Sequence, residues 1–231
     1  MKHGVLLIAV FIALLPVGSL AAATVPIPGI QGNSYGFHIT SLREARFRNT
    51  IRQKYDFSCG SAAVATLLTY QYGYPVDEQT AFEQMYAHGN QQKISKEGFS
   101  LLDIKEYLQA NGFEADGFQV PLEKLQQEHL PAIVLIDEKG YHHFVVIKGL
   151  RDERVLIGDP ARGTRTMPLS QFDALWKNHL VFVIHNRRSL AVFNSPADWH
   201  VAPIAPLGLG IDRSGLGTLT LPKDGPADLN L

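Results

Sequence analysis

Cysteine is nearly missing from this chain: Cys59 is the only one in 231 residues. A lone thiol forms no internal disulfide, which excludes a small scaffold stapled by bridges. The histidines His88, His129, His179, His185 and His200 show no paired metal-ligand spacing with it, so a zinc site is not expected. A surplus of charge is missing too. The 21 basic and 22 acidic residues leave a formal net charge of −1, without the basic footprint of a nucleic-acid partner. Long hydrophobic runs are also scarce. The apolar stretch Gly4 to Leu15, set between Lys2 and the small residues Ala21-Ala22-Ala23, is short for a membrane span and has the grammar of a signal peptide. Cleavage after Ala23 and export to a periplasm are the expectation, with a retained membrane anchor as the alternative. There is no cysteine near the cut to carry a lipid, and no internal repeat anywhere.

What is present is ordinary globular composition, 45% hydrophobic and 19% charged, sufficient for one domain with appendages. Residues 1–23 are the expected signal peptide and residues 24–46 an extended lead-in rich in Pro, Gly and Ser. The domain itself is expected over residues 47–186. Ser58 to Tyr72 reads as a buried helix with a small-residue face, ended by Gly73. Asp77 caps a second helix, Ser100 and Asp103 form the capping box of a third, and Pro121 starts a short fourth over Leu122 to Glu128. After Pro131 the pattern changes to short β-branched runs, at Ala132–Ile136, His143–Lys148, Arg154–Ile157, Thr164–Met167 and Leu180–Ile184. A short helix over Ser170 to Lys177 interrupts them. Helices followed by an antiparallel meander make an α+β fold. Residues 187–231 form a Gly/Pro-rich tail expected to have little structure of its own. The aromatic residues Tyr70, Tyr72, Tyr74, Phe82 and Tyr86 read as core, with part of the set available to a substrate groove.

Cys59 stands immediately before the apolar segment of the first helix. A thiol at a helix N-terminus sees the positive end of the dipole and ionises more easily, as a nucleophile requires. Cysteine catalysis also needs a base, a group to orient the base, and donors for the oxyanion. The backbone N–H of Cys59 is one candidate donor, and the side-chain amide of Gln53 is a second. His142 and His143 open an apolar strand and point to opposite faces, so one of them is the candidate base. Asp159 closes the next strand. Paired as a hairpin, the two strands bring a carboxylate beside an imidazole, which would fix its tautomer.

Taken together, Gln53, Cys59-Gly60, His143-Phe144-Val145-Val146 and Asp159-Pro160 resemble the bacterial double-glycine-leader peptidases. These are the bacteriocin-processing cysteine proteases of the papain-like superfamily. In that family the glutamine precedes the cysteine by six residues and the aspartate follows the histidine by sixteen, and both separations occur here. This selects His143 over His142. The resemblance covers about Phe47 to Ile184 and implies a papain-like α+β domain, with N-terminal helices packed on an antiparallel sheet. It implies Cys59 as nucleophile, His143 as general base and acid, Asp159 as orienter and Gln53 as oxyanion donor, with no metal or cofactor. Cleavage after paired small residues, commonly Gly-Gly, is implied as well. Familiar members are domains of ABC exporters. This chain carries no Walker motif or transmembrane bundle and has its own export signal, so it looks like the stand-alone periplasmic members, including those that accompany functional-amyloid export. The partners implied are polypeptides: an exported protein or amyloid subunit, and secretion-system components. Two other readings are a peptidase-like module that binds a secretion substrate or component without cleaving it, which has no chemical need for the four residues together, and a thiol acyltransferase, which keeps the thiol chemistry.

Overall fold

The computed structural model describes residues 24–28, 34–38 and 41–201. The expected signal peptide and the residues after Val201 lie outside that range. Thr24–Pro28 (β1) and Ser34–His38 (β2) pair antiparallel, from Thr24 opposite His38 to Pro28 opposite Ser34. This ladder forms a unit separate from the one that begins at Leu42.

The second unit opens with Leu42–Arg46 (α1) and Cys59–Thr66 (α2), which runs on into a π-helical turn over Leu67–Gln71. Gly73, at φ 65°, then stops the helix in a left-handed conformation that costs glycine nothing. Glu78–His88 (α3), Gln91–Glu97 (α4) and Leu101–Ala110 (α5) complete the first half. Asp77 and Ser100 cap α3 and α5 as their sequence positions predict, and the capping box of α5 is complete. The second half comprises Ala115–Gln119 (β3), Leu122–Glu128 (α6), Ala132–Glu138 (β4), Tyr141–Arg151 (β5), Arg154–Asp159 (β6) and Gly163–Pro168 (β7). Leu169–Leu175 (α7), Leu180–Ile184 (β8) and Pro196–Val201 (α8) follow.

The six strands β3 to β8 form an antiparallel sheet in the order β3-β8-β4-β5-β6-β7. The meander expected from sequence holds for β4 to β7, but β8 returns to insert between β3 and β4. Apolar side chains cover both faces. On one, Phe144 and Val146 of β5 pack with Ala63, Val64 and Leu67 and with Ile104 and Leu108 of α5. On the other, Val145 and Ile147 pack with Leu122 and Leu125 of α6 and with Phe172 and Trp176. A strand buried on both faces has to be continuously apolar, which is why β5 reads Phe-Val-Val-Ile without alternation.

The pairing of β1 with β2 and the helix α1, inside the expected extended lead-in, escaped the sequence reading, as did α4 and β3. α4 carries one buried apolar residue, Ile94, too few to leave a helical period. β3, Ala-Asp-Gly-Phe-Gln, contains poor strand formers and exists because β8 pairs with it along all five residues. The chain after Asn186 is also more ordered than its composition suggests. Up to Val201 it makes a 3-10 turn and α8, with Asp198 and Trp199 buried.

Candidate active site

The site depends on a break in strand register. β5 and β6 join through the two-residue turn Asp152-Glu153, both at positive φ, the type I′ geometry that matches strand twist. Pairing runs through Arg151↔Arg154, Leu150↔Val155 and Gly149↔Leu156, then resumes at Ile147↔Ile157 and Val146↔Gly158. Lys148 is therefore an extra residue, a β-bulge. Carried one step further, the register sets Val145 against Asp159, and His143 shares that face two residues on. In an unbroken hairpin Asp159 would oppose Val146, and His142 would share its face. The bulge thus puts Asp159 on the His143 side of β5. His143 is buried and His142 is exposed, 3.4 Å from the Asp137 carboxylate.

Asp159 sits at the end of β6, where the chain turns through Gly163. The Oδ1 atom accepts from His143 Nε2 at 2.8 Å and from the backbone N–H groups of Ala161 and Arg162 at 2.9 and 3.2 Å. The Oδ2 atom accepts from Arg165 Nε at 3.0 Å. Arg165 and Arg162 both pair with Glu138. Burial alone would raise the Asp159 pKa, but the bond to His143, the Arg165 charge and the Ala161 N–H bring it down to about 2. Burial likewise opposes a charged His143, yet the Asp159 bond and the adjacent Cys59 sulfur lift its pKa to about 9. With Nε2 committed to Asp159, the other ring nitrogen, Nδ1, is buried and has no hydrogen-bond partner.

Cys59 is the first residue of α2 and is 7% exposed. Gly60 follows because no side chain fits: a Cβ there would stand 2.8 Å from the Phe99 Cβ. The preceding loop is braced from within, Ser58 Oγ donating to the Tyr55 carbonyl and accepting from the Tyr55 N–H, both at 3.1 Å. Gln53 is brought alongside Asp159 by its own backbone N–H, which donates to the Pro160 carbonyl at 3.1 Å. Its side-chain Nε2 donates to the Tyr55 and Asp56 carbonyls at 3.0 and 3.4 Å, while Oε1 is buried without a partner. The amide therefore lies within the cysteine loop, with its N–H groups engaged by backbone.

Sequence reasoning missed Tyr141 and Arg165. Tyr141 stacks on the His143 ring, with centroids 5.6 Å apart, and its hydroxyl donates to the Asp56 carbonyl at 3.0 Å. It joins the cysteine loop to the histidine strand. Its signal was alternation, since Tyr141 and His143 share a face. Arg165 stands opposite Ile157 across the β6–β7 hairpin, on the face that carries Asp159, so the register around Gly163 was the available clue. The aromatic set expected near the first helix divides. Tyr72 is core and Tyr74 packs edge-on against Phe113, whereas Phe82 and Tyr86 join a stack with Phe57 and the exposed Tyr55 beside the cysteine loop.

A helix that begins on a buried thiol, packed on an antiparallel sheet that supplies a paired imidazole and carboxylate, defines the class: a papain-like cysteine peptidase. The chain belongs to the Peptidase C39 family, whose profile matches residues 48–188. It is 41% identical over 164 residues to the Pseudomonas aeruginosa protein named "Probable functional amyloid protease FapD", covering 71% of this chain and 72% of that one. The protein of the same name from Pseudomonas fluorescens is 37% identical over 172 residues, covering 74% and 76%. The crystallised peptidase domain of Streptococcus ComA, a bi-functional ABC transporter involved in a quorum-sensing pathway, superposes with a TM-score of 0.50 at 23% identity. That alignment covers 59% of this chain and 96% of the domain, and the likeness is one of fold.

Proposed function

We propose that this cysteine peptidase is an exported, periplasmic endopeptidase that cuts a secreted protein, an amyloid subunit or its leader, after small residues such as Gly-Gly. The Cys59 proton rests on His143 Nδ1, whose pKa of about 9 keeps the ring charged at neutral pH, and the thiolate attacks the scissile carbonyl. Asp159 holds the resulting imidazolium through Nε2. The Cys59 backbone N–H and one Gln53 amide N–H, released from its loop carbonyl as substrate enters, receive the oxyanion. His143 then protonates the leaving amine, and a water molecule, deprotonated by the same nitrogen, hydrolyses the thioester. The observation that carries this reading is the buried imidazole with Nε2 held by Asp159 and Nδ1 unpartnered. The aromatic stack ending at exposed Tyr55 offers an apolar platform for a polypeptide beside the thiol, and the FapD relatives suggest an amyloid protein as its occupant.

The test incubates wild-type and Cys59→Ser protein with the exported proteins encoded nearby, any amyloid subunit among them included, while the wild-type thiol is titrated with a cysteine-directed affinity label. Processing by the wild type alone, after a small-residue pair, is expected. Equal processing by both proteins would end the cysteine mechanism. A fully labelled thiol with no processing of any of these proteins would remove the substrate assignment.

A further inference from the structure

The bulge at Lys148, on which the His143–Asp159 pairing depends, is held from outside the sheet. Beyond residue 188, where the family match ends, the chain crosses β5 as a strap. Asn194 is its central residue. The Asn194 backbone N–H donates to the Lys148 carbonyl at 2.9 Å. Its side chain accepts from the Leu150 N–H at 2.9 Å and donates to the Leu150 carbonyl at 3.1 Å. These are backbone groups of the bulged residue and of the second residue after it. Gly149 lies directly beneath, and a Cβ there would collide with the Asn194 amide. Asn194 has φ 61°, a conformation that asparagine tolerates better than most residues.

The side chain of the bulged residue is held as well. Lys148 is wholly buried, and its ammonium donates to Asp198 of α8 and to the Asn49 carbonyl, both at 2.7 Å. Asn49 Nδ2 donates to the same Asp198 oxygen at 2.8 Å. From Asn49 the chain runs through Thr50, bonded to Thr164, and Ile51, bonded to Thr66, to Gln53 beside Pro160. A buried ammonium with no counter-charge is costly. Without Asp198, Lys148 would be drawn toward solvent and the bulge with it.

We propose that Asn194 and Asp198 are positioning residues of the peptidase: the strap fixes the Lys148 bulge and so keeps His143, rather than His142, in register with Asp159. The proposal rests on the reading of His143 as the base. A loosened strap lets β5 relax toward the unbroken register, in which His143 leaves the face of Asp159.

The test measures the rate of Cys59 alkylation by iodoacetamide against pH, which needs no knowledge of the substrate. Wild type and His143→Ala set the two limits. Asn194→Gly keeps the backbone conformation and removes the side-chain bonds. At a temperature where circular dichroism shows it folded, its profile is expected to move toward that of His143→Ala, with alkylation about tenfold slower at neutral pH. Asp198→Leu is expected to do the same, and Lys148→Met in that background to restore the wild-type profile by removing the stranded charge. An Asn194→Gly profile superimposable on wild type, even with a lowered melting temperature, would overturn the proposal by making the strap a structural brace alone. Coincident wild-type and His143→Ala profiles would instead remove the reading on which it rests.

Discussion

Gly60→Ala is the smallest change that probes how tightly the nucleophile is placed. The added Cβ would stand 2.8 Å from the Phe99 Cβ and 3.5 Å from its Cγ and Cδ2. Carbon atoms in contact prefer about 3.5–4.0 Å, so the first separation must open by roughly 1 Å. A rotamer change gives no relief, because the Cβ of Phe99 is fixed by its own backbone. Every residue of α2 is buried, so the helix has no free space into which to move, and the first turn carrying Cys59 takes up part of the displacement. Overpacking of this kind costs about 1–3 kcal/mol, and a 1 Å misplacement of a reacting group costs about 10² in rate. The assay compares urea midpoints and kcat/KM, with active sites titrated by a thiol label so that misfolded enzyme is not counted as slow enzyme. A loss of about 10² in kcat/KM, with the stability derived from the urea midpoint lowered by about 1–3 kcal/mol, is expected on those grounds. Wild-type values of both would refute the packing argument. A lowered midpoint with unchanged kcat/KM would show that the displacement is absorbed away from the thiol.

Other perturbations have equally definite outcomes. Asp159→Ala removes the group that orients His143 and is expected to lower kcat about 10³-fold, measured by single turnover. Asp159→Asn keeps an oxygen for His143 but sets an amide N–H against Arg165, so the alkaline limb of the pH–rate profile should fall from near 9. Stability is expected to follow the same pair. His143, raised from 6.5 to about 9, contributes fully below 6.5 and loses its contribution as pH rises through 9. Asp159, lowered from 3.8 to about 2, contributes above 3.8 and loses it as pH falls through 2. Denaturation midpoints measured across pH should therefore plateau between these limits, and His143→Ala should abolish the alkaline decline. Tyr141→Phe keeps the stack and removes the bond to Asp56, a loss of about 1 kcal/mol or roughly fivefold in kcat. Tyr141→Ala should cost more, and equal rates for the two would remove any role for the ring.

The sequence was most readable where chemistry imposes spacing. Gln53 to Cys59 and His143 to Asp159 were legible through the separations of six and sixteen residues that the family resemblance supplies, and the structure joins His143 to Asp159. Capped helices were equally readable, since Asp77 and Ser100 announce their turns. The bulge was not legible. Ile147-Lys148-Gly149-Leu150 looks like the end of a strand followed by a turn, because a lysine is rarely buried and glycine breaks strands. Only the distant Asp198 makes that lysine tolerable inside. α4 and β3 were hidden because each forms through a neighbour and not through its own pattern.

The insertion of β8 between β3 and β4 also governs when the enzyme can exist. β3 and β4 follow one another along the chain, yet neither completes its side of the sheet until Leu180–Ile184 arrives to pair with both. Pairing between distant segments is slow because the intervening loop must close first. A chain made N-terminus first presents Cys59 long before that strand, and the strap across the bulge arrives later still. The thiol is thus delivered early, and the strand that completes the sheet beneath it late.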